Sequence, residues 1–149
     1  MLKHIEQFLE RLAGQETSLE ITDEEERIAC AVLLLHCART DGVQTEEETD
    51  KIQHLLMGAF SLTPANVATV MMTAQQHERD ALDLYPFTSV LQKSWGREQR
   101  LEFVRMMWEV VYADEEIDFT ERSTVSFIAE LLHVETKEVV RLRRDVTSS

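Results

Sequence analysis

The sequence predicts an all-α fold, a compact bundle of seven to eight helices. Three observations carry that prediction. Gly and Pro number only 4 and 2 among 149 residues, and the chain is rich in Leu, Ala, Glu, Met and Arg, a balance that favours helix over sheet. Apolar residues recur at spacings of three and four, with no alternating run of any length. A helix–acidic loop–helix pattern occurs twice.

The elements follow in order. Leu2, Ile5, Phe8, Leu9 and Leu12 form an apolar stripe that Gly14 closes, which predicts a first helix. Thr22-Asp23-Glu24-Glu25 is a capping box ahead of an apolar run from Ile28 to Leu35. That run is hydrophobic on most faces, so it is read as the central buried helix. Thr45-x-x-Glu48 caps a further helix through Ile52, Leu55, Leu56 and Phe60. Thr63-Pro64 restarts the chain, Thr at the cap and Pro at the first helical position, ahead of Val67, Val70, Met71 and Ala74.

From His77 to Trp95 the pattern is less regular, with a short helix starting at Tyr85-Pro86-Phe87-Thr88 and running through Val90 and Leu91. Gly96 interrupts before a long helix carrying Leu101, Val104, Met107, Trp108 and Val111. Asp118-x-x-Glu121 caps the next, with Val125, Ile128, Ala129 and Leu132. A short final helix after Val134 uses Val139, Val140 and Leu142.

The two acidic loops align. Asp41 falls on Asp114, Thr45 on Asp118 and Glu48 on Glu121; downstream, Ile52 matches Val125 and Leu55 matches Ile128. After a slip of one residue, Phe60-Ser61-Leu62-Thr63 matches Leu132-His133-Val134-Glu135. Residues 1–149 are therefore read as a single helical domain with repeat units at about 24–75 and 97–145. A chain of this length buries about 70% of the surface it exposes when unfolded.

The net charge is −13. Such a field repels phosphate backbones and anionic lipid and favours cations or basic partners. No nucleic-acid partner is expected, and Arg141, Arg143 and Arg144 are read as last-turn cations complementing a helix dipole. No membrane partner is expected either, because the charged start Met1–Phe8 has no unbroken apolar stretch, so neither a secretory signal nor a span is predicted. Cys30 and Cys37 stand two helical turns apart, roughly 10 Å and too far for a disulfide within one helix. They read as reduced core residues of a cytoplasmic protein. Their spacing is not C-x2-C and no further Cys is available for zinc.

The acidic loops fail as EF-hands, which need oxygen ligands at positions 1, 3 and 5, Gly at 6 and Glu at 12. Counting from Asp114 puts Phe119 at position 6 and Val125 at 12; counting from Asp41 puts Val43 at position 3. A shorter carboxylate site remains. Asp41 with Glu47 or Glu48, and Asp114 with Asp118 or Glu121, place oxygens at both ends of a tight loop, the donors that Ca²⁺, Mg²⁺ or Mn²⁺ prefer. The alternative is that these acids only cap helices and face solvent.

Other chemistry has less support. A di-iron bundle site needs two Glu-x-x-His motifs, and only Glu130–His133 is present. There is no nucleophile elbow, P-loop or H-E-x-x-H. His4, His36, His54, His77 and His133 are scattered and read as surface or satisfied core residues. The runs Asp23–Glu26 and Glu46–Glu48 are either docking sites for a basic partner or solvated first turns. Tyr85, Pro86, Phe87 and Trp95 either line a groove or fix a loop to the core.

Taken together, Ala38-Arg39-Thr40-Asp41-Gly42 with Glu47-Glu48, the central Asp83-Leu84-Tyr85-Pro86-Phe87-Thr88, and Trp108 to Asp114 with Ile117, Asp118 and Glu121 resemble the TerB-like tellurite-resistance family, in its uncharacterised bacterial branch. The resemblance covers roughly Asp23 to Leu142. It implies a compact helical fold with internal pseudo-twofold symmetry, a cytoplasmic setting, acidic residues that bind divalent metal, and no established catalysis. Two departures stand out: Glu115 replaces the Gly the family favours, and Val43 comes one position earlier than Ile117. Asp114, Asp118 and Glu121 fit the pattern better than Asp41, Glu47 and Glu48. The expectation is a non-enzymatic module that binds a divalent cation or a protein partner through its acidic loops in a bacterial stress-associated system. The competing readings are a metal-dependent enzyme using the same carboxylates and purely structural loops.

Overall fold

The computed structural model describes residues 21–38, 45–81, 83–113 and 119–148. Among them are seven helices and no strand: α1 (Asp23–Ala38), α2 (Glu46–Phe60), α3 (Pro64–Asp80), α4 (Tyr85–Ser94), α5 (Arg97–Val111), α6 (Phe119–Leu131) and α7 (Thr136–Thr147). The helix expected over Leu2–Leu12 lies outside the described residues.

Local chemistry starts most of these helices. Thr22 caps α1: its hydroxyl accepts the Glu25 N–H at 3.1 Å, and Glu25 accepts the Thr22 N–H at 2.8 Å. Thr63 accepts the Asn66 N–H at 3.2 Å with Pro64 next in line. At α4, Asp83 accepts the Tyr85 N–H at 2.9 Å, and at α5 the Gln99 side chain accepts the Gly96 N–H at 3.0 Å.

The apolar run of α1 is buried at every position from Ile28 to Leu35. A helix apolar on all sides must be covered on all sides, and α2, α3, α4, α5 and α6 all pack against it. The rest of the core comes from single stripes: Ile52 and Leu56 of α2, Phe87, Val90 and Leu91 of α4, and Val125, Ile128 and Ala129 of α6. In α5, Trp108 donates its indole N–H to the Val139 carbonyl of α7 at 3.0 Å.

The segment beginning at His77 departs from its irregular reading, because α3 runs unbroken to Asp80. His77 stays buried with its ring edge-on to Phe87, 6.3 Å between centroids, while Gln76, Arg79 and Asp80 face solvent. The apolar signal thins there because only one face is inside.

The helices α2 and α3 pack on α1, and α6 and α7 pack on α5. The exits of α2 and α6 also match. Ser61 and His133 adopt left-handed φ values of 53° and 62°. The Leu62 N–H then bonds the Met57 carbonyl at 3.1 Å, and the Val134 N–H bonds the Ala129 carbonyl at 2.9 Å, closing each helix in a Schellman turn. Among the described residues no single helix is long and apolar enough to cross a membrane.

Candidate functional site

The capping box of α2 decides which of its acids turns inward. Glu48 accepts from the Thr45 backbone N–H at 3.0 Å and from its hydroxyl at 3.1 Å, while the Glu48 N–H bonds that hydroxyl at 3.1 Å. These bonds fold the carboxylate back over the first turn, and Glu48 is only 1% exposed. Glu47, one residue earlier and about 100° round the helix, is exposed. Glu121 holds the corresponding place in α6, third in the helix, and is 4% exposed.

Both carboxylates act on one atom. Cys37, in the last turn of α1, is fully buried, and its thiol pKa is pushed far up, first by burial, then by the charge of Glu121, then by that of Glu48. Two helices far apart in sequence thus bring their third-position glutamates within electrostatic reach of the same sulfur. Cys30, earlier on α1, is raised by burial and by Glu26. Neither cysteine forms a disulfide, in line with their reading as reduced core residues.

Of the six candidate ligands, Glu48 and Glu121 converge, Glu47 is set apart, and Asp41, Asp114 and Asp118 lie outside the described residues. No group of three or more His, Cys, Asp or Glu side chains is placed to hold a metal among the described residues. Two carboxylates, with four oxygens at most, make an incomplete shell for a divalent cation, which takes six or more oxygen ligands.

Glu47 instead lines a cleft of about 640 Å³ with Asp50, Lys51 and His54 of α2 and Glu109 and Tyr112 of α5. There Lys51 lies 3.3 Å from Glu109, and Arg105 bonds both Glu102 and Glu109. Glu109 is already matched by cations. Sequence reasoning passed over this cleft, although the spacing of Glu47, Asp50 and His54 puts all three on one helix face.

Other expectations resolve individually. The first-turn acids of α1 are not uniformly solvated: Asp23 is exposed, but Glu25 is 1% exposed because the cap draws it inward. Glu26 accepts from the Trp95 indole at 3.4 Å. Phe87 and Trp95 fix their segment to the core, Trp95 edge-on to Phe103 at 5.7 Å, while Tyr85 is exposed. His36 lies 3.3 Å from Glu78, between α1 and α3.

A buried central helix, wrapped by helices that bury their third-position glutamates, defines an acidic all-helical domain. The chain belongs to the tellurite resistance protein TerB family, whose family model matches residues 27–144. That span takes in Cys37, Glu48 and Glu121. No curated protein and no solved structure matches the chain.

Proposed function

We propose that this TerB-family protein is a non-enzymatic module that binds a divalent cation, Ca²⁺, Mg²⁺ or Mn²⁺, through the carboxylates of its two acidic loops, Glu48 and Glu121 among them. The observation that carries this reading is that two buried carboxylates, Glu48 and Glu121, both raise the pKa of the Cys37 thiol. Asp41 follows Ala38 by three residues, and Asp114 and Asp118 adjoin Ala113 and Phe119. A cation held by these acids would offset the mutual repulsion of carboxylates buried in one region.

The same reading takes the chain as a single domain built of two repeat units. Support for repeat units at about 24–75 and 97–145 comes from the left-handed exits at Ser61 and His133 and from the packing of α2 and α3 on α1 and of α6 and α7 on α5. Two loops related in this way would offer equivalent acids to one cation. An enzyme would place such carboxylates in an open pocket beside a general acid or base. A cytoplasmic setting fits two cysteines kept as buried thiols.

Thermal unfolding with Ca²⁺, Mg²⁺, Mn²⁺ and Zn²⁺ tests the proposal. Binding to the native state stabilises by mass action, about 2.7 kcal/mol at a metal concentration one hundred times Kd. The midpoint is expected to rise by several degrees with at least one of the oxygen-preferring cations. The rise should disappear in the Asp114→Asn/Glu121→Gln variant. A midpoint unmoved by millimolar metal would overturn the reading.

A further inference from the structure

Sulfur is divided unevenly between core and surface. Both thiols are inside: Cys30 and Cys37 of α1 are fully buried and form no disulfide. Among the described methionines, Met71, Met106 and Met107 are buried, and Met57 packs partly buried against the core. Met72 stands outside, 71% exposed.

Helix phase separates Met72 from its neighbour Met71. Val67, Val70, Met71 and Ala74 form the inward stripe of α3, and Met72, about 100° further round, leaves it. One turn away on its own face are Ala68, Thr69 and Gln76, all exposed. Ala68 and Thr69 are too short to cover a thioether. No long charged side chain of α3 lies within a turn of it, because the sequence from Gln53 to Gln76 holds no Asp, Glu, Lys or Arg.

In an unfolded chain an oxidant consumes thiols before thioethers, because the thiolate is the better nucleophile. The fold removes that advantage. An oxidant must touch the sulfur, and both cysteine sulfurs are covered. Burial, then Glu26 at Cys30, and burial, then Glu121 and Glu48 at Cys37, also hold the thiols in their protonated form, which is the unreactive one.

We propose that Met72 is the site at which hydrogen peroxide and related two-electron oxidants modify this protein, ahead of both cysteines. The thioether sulfur attacks one peroxide oxygen, and the S–O bond forms as the O–O bond breaks. Sulfur is oxidised and peroxide reduced; the departing hydroxide takes the proton left on the transferred oxygen and leaves as water. The product is methionine sulfoxide. At a core methionine the new oxygen would be a buried polar group without a partner, whereas at position 72 it meets solvent. The oxidised chain therefore keeps its fold and carries a polar mark on an uncharged helix face.

Limited peroxide treatment of the full chain, read by peptide mass spectrometry, tests this. Met72 is expected to gain one oxygen about tenfold faster than Met57, Met71, Met106 or Met107, while both thiols stay open to alkylation after denaturation. In urea, where every sulfur is exposed, thiol should be lost first. Met72→Leu should gain no oxygen at the other four methionines at the same dose, and the oxidised wild type should keep its thermal midpoint. Loss of either thiol from the folded chain before Met72 reacts overturns the proposal. So does a buried methionine oxidised at a comparable rate, the same order of reaction in urea, or a midpoint that falls as the Met72 sulfoxide accumulates.

Discussion

Glu48 and Glu121, third residues of helices that begin at Glu46 and Phe119, both push up the pKa of one buried thiol, that of Cys37. The effect of burial is larger than that of either charge. Together they keep the sulfur protonated in the native state well above the ordinary value of 9.0.

A pH dependence follows. Cys30 and Cys37 are both raised in the folded protein, so above the unfolded thiol pKa the unfolded chain holds fewer protons than the native one. Their stabilising contribution is complete below that pKa and declines above it, by about 1.4 kcal/mol per pH unit for each thiol. Urea midpoints measured from about pH 8 to pH 10.5 should fall, and Cys37→Ala should lose roughly half of the thiol-dependent slope. An identical slope in the variant would remove Cys37 from the account.

The cap that holds Glu48 has its own signature. Thr45→Ala removes the hydroxyl that both accepts the Glu48 N–H and donates to its carboxylate. A loss of about 1 kcal/mol is expected, seen as a drop of about 2–4 °C in the thermal midpoint. The carboxylate then keeps only its bond from the residue-45 backbone N–H and is held less firmly, so the metal-dependent rise should shrink in the same variant.

Ser61 pays for a left-handed backbone at φ 53°. Glycine adopts that conformation without a Cβ clash. Ser61→Gly is therefore expected to stabilise the protein by about 1 kcal/mol, raising the midpoint in a calorimetric scan. A lower midpoint would show that the serine side chain contributes more than its strain costs.

Burial on α1 sets the largest single-site effect. Leu33 is fully covered, and Leu33→Ala should cost about 2–5 kcal/mol in denaturant titration. Met72, 71% exposed, should tolerate alanine within about 0.5 kcal/mol.

Much of this fold was legible because its signals are local. Thr22, Thr45 and Thr63 mark helix starts through side chains that bond backbone three residues on, and the run Ile28–Leu35 can only be a helix covered on every side. Phase was harder. The Thr45-x-x-Glu48 spacing marks the cap, but whether Glu47 or Glu48 serves a site is open until the reciprocal bonds with Thr45 place Glu48 inside. Phe127 resembles a core residue, yet Val125, Ile128, Ala129 and Leu132 occupy the inward stripe and leave its ring outside. The meeting of Glu48, Glu121 and Cys37 depends on how three helices pack, which no local spacing encodes.

The central claim is that a divalent cation binds beside these two glutamates, and paramagnetic Mn²⁺ added to isotopically labelled protein tests it most directly. The account predicts that the amide signals of Cys37, Glu48 and Glu121 broaden first, ahead of those of Asp50, His54 and Glu109 in the neighbouring cleft. Broadening that begins in that cleft, or that spreads evenly over the acidic surface, would contradict it.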